Sequence, residues 1–137
     1  MMVQVVRGSW KLHEKWAKRL GVPKEVSRKV NEIIDFGEEG HDRALKDPEV
    51  WATQFWRLDE EGKRAFYLHL LLDEMKRVVK KYKIEKGWDA AKCAIDCVYF
   101  KCGHWSPRVR EIVVPVEKFL MENAKEIIKD IKKEIGK

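Results

Sequence analysis

At 137 residues, with 45% apolar and 38% charged residues, the chain is long enough for one core and too rich in Trp, Ile, Leu and Val for disorder. No stretch approaches the roughly 18 uninterrupted apolar residues of a membrane span, and the first ten residues lack a signal-peptide run, so the expectation is a cytoplasmic globular protein without a membrane partner. The net charge of +6 suits a polyanionic partner without requiring one.

In chain order, Ser9 is a candidate N-cap for a first helix with Trp10, His13, Trp16, Ala17 and Leu20 on one face, and Gly21 offers a left-handed stop. Pro23 suits the first turn of a second helix, whose Val26, Val30, Ile33 and Ile34 share a face before Gly37. Residues 37–47 lose the period and read as a loop. Asp47 and Pro48 then open a short helix through Trp51, Phe55 and Trp56. Asp59 caps a long helix to about Tyr82, with Phe66, His69, Leu72, Met75 and Val79 along a stripe that Leu68, Leu71 and Val78 widen, which predicts a central position. Gly87 and Asp89 open a further helix with Ala91, Ala94, Ile95, Val98 and Cys102 inward. Ser106 and Pro107 start another segment, which Pro115 is expected to break or kink, and Val116, Leu120, Ala124, Ile127, Ile131 and Ile135 line a last helix. The predicted fold is all-α: a single compact domain of about six helices in an irregular orthogonal bundle.

Asp96 sits in the apolar run AAKCAIDCVYF, where a buried carboxylate would need a pairing group or a cation. His13 in KLHEKWAKRLGVP, the doublet His41-Asp42 in GEEGHDRAL and Asp96 follow one another in an order that resembles the HD superfamily of helical, metal-dependent phosphohydrolases. The resemblance covers roughly residues 9–100 and implies a divalent metal (Mn, Fe, Ni, Mg or Zn) on His13, His41, Asp42 and Asp96, activating water toward a phosphate ester of a nucleotide or nucleic acid. His69 and Asp73, four apart on one helical face, then add ligands or a proton relay, and Arg43, Arg64 or Lys63 hold phosphate oxygens.

Other patterns carry competing readings. Cys93, Cys97, Cys102 and His104 describe either a Cys3His zinc site or plain core thiols. Arg64 and His69 have the R-x4-H spacing of the HEPN helical ribonucleases, but five residues apart they point to different faces, and a buried core histidine is the preferred reading. Lys76, Arg77, Lys80, Lys81, Lys83 and Lys86 gather beside Tyr82 and Trp88, which is either a solvated helix end or a nucleic-acid surface. The six tryptophans point to a large core, with any exposed one marking a partner or homodimer surface. Abundant Lys and Glu with scarce Ser, Thr, Asn and Gln suggest a thermophilic source. The expected function is therefore an HD-like, metal-binding hydrolase. The alternative is a non-enzymatic nucleic-acid- or protein-binding module of archaeal or viral origin.

Overall fold

The middle of the longest helix is buried on all sides, and the other helices are arranged around it. In the computed structural model, which describes residues 3–36, 60–102 and 107–135, the elements are α1 (Val3–Leu20), α2 (Lys24–Phe36), α3 (Glu60–Tyr82), α4 (Gly87–Cys102), α5 (Pro107–Glu122) and α6 (Ala124–Ile135). No strand occurs among the described residues, and the fold is all-α. Every residue from Ala65 to Leu72 is buried, the pattern of a helix enclosed by protein rather than lying on a surface. Accordingly α3 packs against each of the other five helices.

Helices α1 and α2 form a hairpin whose turn is closed by local chemistry. Gly21 adopts a left-handed φ of 100°. Its amide donates to the Lys18 carbonyl at 3.0 Å and that of Val22 to the Ala17 carbonyl at 2.9 Å, the paired bonds of a Schellman stop. Val22 then turns inward and is buried. At the other end α1 begins at Val3, so Ser9 lies inside the helix and does not cap it. Serine costs little in a helix interior, and the turn before it simply continues the hydrogen-bond ladder.

Trp16, wholly buried, ties α1 to α6: its indole Nε1 donates to Asp130 Oδ2 at 3.0 Å, and Lys15 reaches the same oxygen at 2.7 Å. Gly87, at the start of α4, is required by close approach, because a Cβ there would run into the backbone carbonyl of Ala124 at the start of α6. The chain also departs from expectation at Pro115, which sits exposed inside an unbroken α5. The break falls instead at Asn123, whose carbonyl accepts the Glu126 and Ile127 amides while its side-chain Nδ2 donates to the Phe119 carbonyl at 2.9 Å. Proline removes one ladder bond. Asn123 supplies partners for the groups a helix end leaves open, and that decides where the helix stops. The short helix expected at residues 47–56, and the side chains of Trp10, Ile33 and Ile34, lie outside the description.

Candidate metal centre

His13 belongs to the buried stripe of α1 with Leu12, Trp16 and Ala17, and on α3 His69 and Asp73 stand one turn apart on one face. The packing of these two helices brings the three polar side chains together. His13 and His69 are 2% and 1% exposed, and their rings stack with centroids 4.0 Å apart and planes 6° from parallel. The carboxylate of Asp73 sits across both rings, with Oδ1 2.9 Å from His13 Nε2 and Oδ2 3.1 Å from His69 Nε2. One ligand atom from each residue lies within 4.8 Å of the other two. Asp73 is the member of the group that reaches solvent, at 23% side-chain exposure.

A fourth residue, Asn31 of α2, fixes one ring. Its Oδ1 lies 2.7 Å from His69 Nδ1 inside the core; with the amide in this orientation His69 donates from Nδ1 and carries its proton there. A neutral His69 then presents the Nε2 lone pair to a carboxylate oxygen, which is repulsive unless a proton or a cation lies between them. A second proton would make two stacked imidazoles share positive charge at close range. Burial lowers the His13 pKa below its ordinary 6.5, the neighbouring His69 lowers it further, and the attraction of Asp73 only partly offsets them. The His13 ring is therefore neutral at pH 7. Its Nδ1 has no hydrogen-bond partner among the described residues, and its Nε2, although close to Asp73, is not aligned on the carboxylate as a hydrogen bond.

These contacts fit a divalent cation by distance. Neighbouring donors around an octahedral ion at about 2.1 Å lie about 3.0 Å apart, which matches the 2.9 and 3.1 Å separations. The near-parallel rings direct their in-plane lone pairs side by side, so a single ion shared by both nitrogens requires one ring to tilt. The competing arrangement has the Asn31 amide turned over, with Nδ2 donating to His69 Nδ1 and His69 Nε2–H donating to Asp73, and it needs no ion.

The cluster brings together three of the predicted site residues, His13, His69 and Asp73. Asp96 is corrected: it is not buried but 68% exposed, 3.9 Å from Lys92, and is no member of the cluster. Ala91, Ala94 and Val98 take the inward face of α4, and Asp96 falls about 200° round the helix from Ala94. His41, Asp42, Arg43 and His104, and the side chain of Cys102, lie outside the described residues. Arg64 is half-buried on α3 with a buried Nε that has no partner among the described residues, and no described contact joins it to His69.

Cys93 and Cys97 lie half-buried and unbridged on one face of α4. The Cys93 thiol is pushed up by burial and then by Cys97, which favours the protonated form. Within the basic run, Lys76 and Arg77 are held by acids of the fold. Lys76 pairs with Glu134 at 3.4 Å and Arg77 Nε with the buried Glu74 at 2.7 Å, whereas Lys80, Lys81, Lys83 and Lys86 are exposed.

Asn31 escapes the sequence reading. Its signal is a second buried polar residue, Ser27, one turn earlier on α2, since two polar residues at helical spacing beside an apolar stripe imply a shared buried partner. No protein-family model, curated protein or solved structure matches the chain, and the reading of the site rests on its own geometry.

Proposed function

We propose that the protein holds a divalent metal between His13, His69 and Asp73 and hydrolyses a phosphate ester there. The observation that carries this reading is the buried pair of imidazoles converging on one carboxylate, with Asn31 hydrogen-bonded to the Nδ1 of His69. Two nitrogens and one carboxylate oxygen suit Mn, Fe, Ni or Zn. When bound, such an ion lowers the pKa of a water and polarises a phosphoryl oxygen.

The residues divide the remaining work. Asn31 orients His69, as a second shell does for a ligating histidine. Asp73 occupies the solvent-facing side, where substrate arrives. Lys76, one turn beyond Asp73, is close enough for its charge to lower the His13 pKa, while its ammonium is held by Glu134 at 3.4 Å. The order His13, His41-Asp42 remains the sequence ground for likening the chemistry to the HD superfamily.

The test is elemental analysis and titration calorimetry with Mn, Fe, Ni and Zn on untagged protein, compared with His69→Gln and Asp73→Asn. Near-stoichiometric metal that both variants lose, together with hydrolysis of bis-p-nitrophenyl phosphate that follows the metal, supports the proposal. Protein that takes up no metal after reloading, yet stays folded, assigns the cluster to the ion-free arrangement. His41→Ala, assayed alongside, tells whether the doublet contributes to the same ion.

A further inference from the structure

The second unusual place in the molecule is the rim where the α3–α4 turn meets α6. Trp88, in the first turn of α4, is 57% exposed, and Tyr82, at the end of α3, is 55% exposed. A large aromatic left in water contributes little to the core, and two of them bracketing one turn need another explanation. Trp88 forms one wall of a cavity of about 450 Å³, within the range that takes a small planar ligand. Its floor is apolar, from Gly87 and the buried Ile128.

The edge of this cavity is cationic. Lys125 and Lys129 line it from α6 and Lys86 from the turn. All three are exposed, and none makes an ion pair with another described residue. Lys125 and Lys129 lie one turn apart on the same side of α6, about 6 Å along the axis, a step comparable with that between successive phosphates of an extended strand. Glu85, the one acid among the lining residues, is bound by Lys132 at 2.6 Å and does not oppose an incoming anion. Asp89 is exposed nearby on α4.

We propose that this rim binds single-stranded nucleic acid, one base stacking on Trp88 in the cavity while Lys86, Lys125 and Lys129 take the flanking phosphates. The chemistry selects this occupant. A slot walled by indole and edged by lysines answers a flat base joined to phosphates. A duplex keeps its bases stacked and offers only charge. An anionic bilayer would call for a broad apolar face to insert, and beside Trp88 the lining offers only Gly87 and Ile128 as uncharged residues. The site shares no residue with the His13, His69 and Asp73 cluster and stands whether or not that cluster holds metal.

The test is fluorescence anisotropy of labelled oligothymidylate and of a duplex of mixed sequence, with chelator present, at about 50 and 200 mM salt. Single-strand binding should weaken at least tenfold between the two salts. It should fall about tenfold in Trp88→Ala, and further in Lys125→Glu/Lys129→Glu. Should that double variant lose its helical circular dichroism, Lys86→Gln in the turn reports the same contact, with a smaller loss expected. Absence of binding at low salt, equal affinity for duplex, or indifference to Trp88→Ala would overturn the proposal. So would binding to phosphatidylserine vesicles without binding to the oligonucleotide.

Discussion

The cluster at His13, His69 and Asp73 and the rim at Trp88 solve opposite problems. In the cluster, polar groups have been taken out of water and given one another and Asn31 as partners. At the rim, an aromatic ring has been left in water beside the Glu85–Lys132 pair and beside Lys86, Lys125 and Lys129, which have no described counter-ions. Desolvated polar atoms are costly to disturb, because each loses a partner that water cannot replace. Exposed side chains are cheap to change. The two regions should therefore respond in opposite ways: the cluster through stability and pH, the rim through binding with stability nearly untouched.

The largest expected effect limits that contrast, since the rim rests on a rigid seam. Gly87→Ala forces a methyl group against the Ala124 carbonyl, and backbone cannot rotate aside as a flexible side chain can. The expected cost is about 3 kcal/mol, read from urea unfolding, with Trp88 fluorescence altered as α4 and α6 move apart. A smaller loss would mean that the α5–α6 junction yields more easily than its hydrogen bonds at Asn123 suggest.

Asn31→Leu comes next. It keeps the branched shape of the side chain but leaves His69 Nδ1 facing an apolar group, at about 1–3 kcal/mol. If the cluster holds metal, the same change lowers metal affinity about 10- to 100-fold by freeing the ring. Stability loss without any effect on metal uptake would favour the ion-free arrangement.

The pH dependence of the metal-free protein follows from His13. Its folded-state pKa lies below its ordinary 6.5, so between those two values the unfolded chain binds more protons than the native one. Stability from this residue is thus complete above about pH 6.5 and falls as the solution is acidified through that window. Thermal unfolding in chelator from about pH 5 to 8 should show the decline, and His13→Gln should flatten it. A decline of equal size in His13→Gln would place the effect on other groups.

How far the sequence foretells these regions depends on whether the deciding interactions are local. The start of α4 is legible from Gly87 after the lysine run, and the α1–α2 stop is legible because only glycine readily accepts the φ found at Gly21. Asp96 and Asp73 show where this fails. The run around Asp96 is apolar in composition, which invites a buried carboxylate, but on a helix the inward face belongs to Ala91, Ala94 and Val98. Asp73 stands beside glutamate in a less apolar run and still meets two buried histidines, because the approach of α1 to α3 is a tertiary fact. Spacing puts His69 and Asp73 on one face, but nothing in the spacing says that His13 and Asn31 arrive opposite them. At the rim the lysine run is visible in sequence. Its separation into the paired Lys76 and Arg77 and the exposed lysines beyond depends on the acids at Glu74 and Glu134.

Lys83 sharpens the contrast with a small gain. It adopts a left-handed φ of 56°, and a residue with a Cβ pays about 1 kcal/mol there. Lys83→Gly should raise stability by up to that amount, while removing one exposed charge near Tyr82. Because Lys83 does not line the cavity, oligonucleotide binding should change less than twofold. A larger loss would extend the nucleic-acid path along the turn toward Tyr82.

Trp88→Ala is the smallest expected change in stability and the clearest separation of the two regions. Truncating a buried tryptophan typically costs 3–5 kcal/mol, the effect expected at the fully buried Trp16. With more than half of its surface in water, Trp88 should cost no more than about 0.5 kcal/mol, measured as the urea midpoint at unchanged slope. A residue that is nearly silent in folding but costs an order of magnitude in oligonucleotide affinity is a contact with a partner. If Trp88→Ala instead destabilises the fold as strongly as Asn31→Leu, the indole is supporting the α4–α6 seam above Gly87, and the rim belongs to the core's account after all.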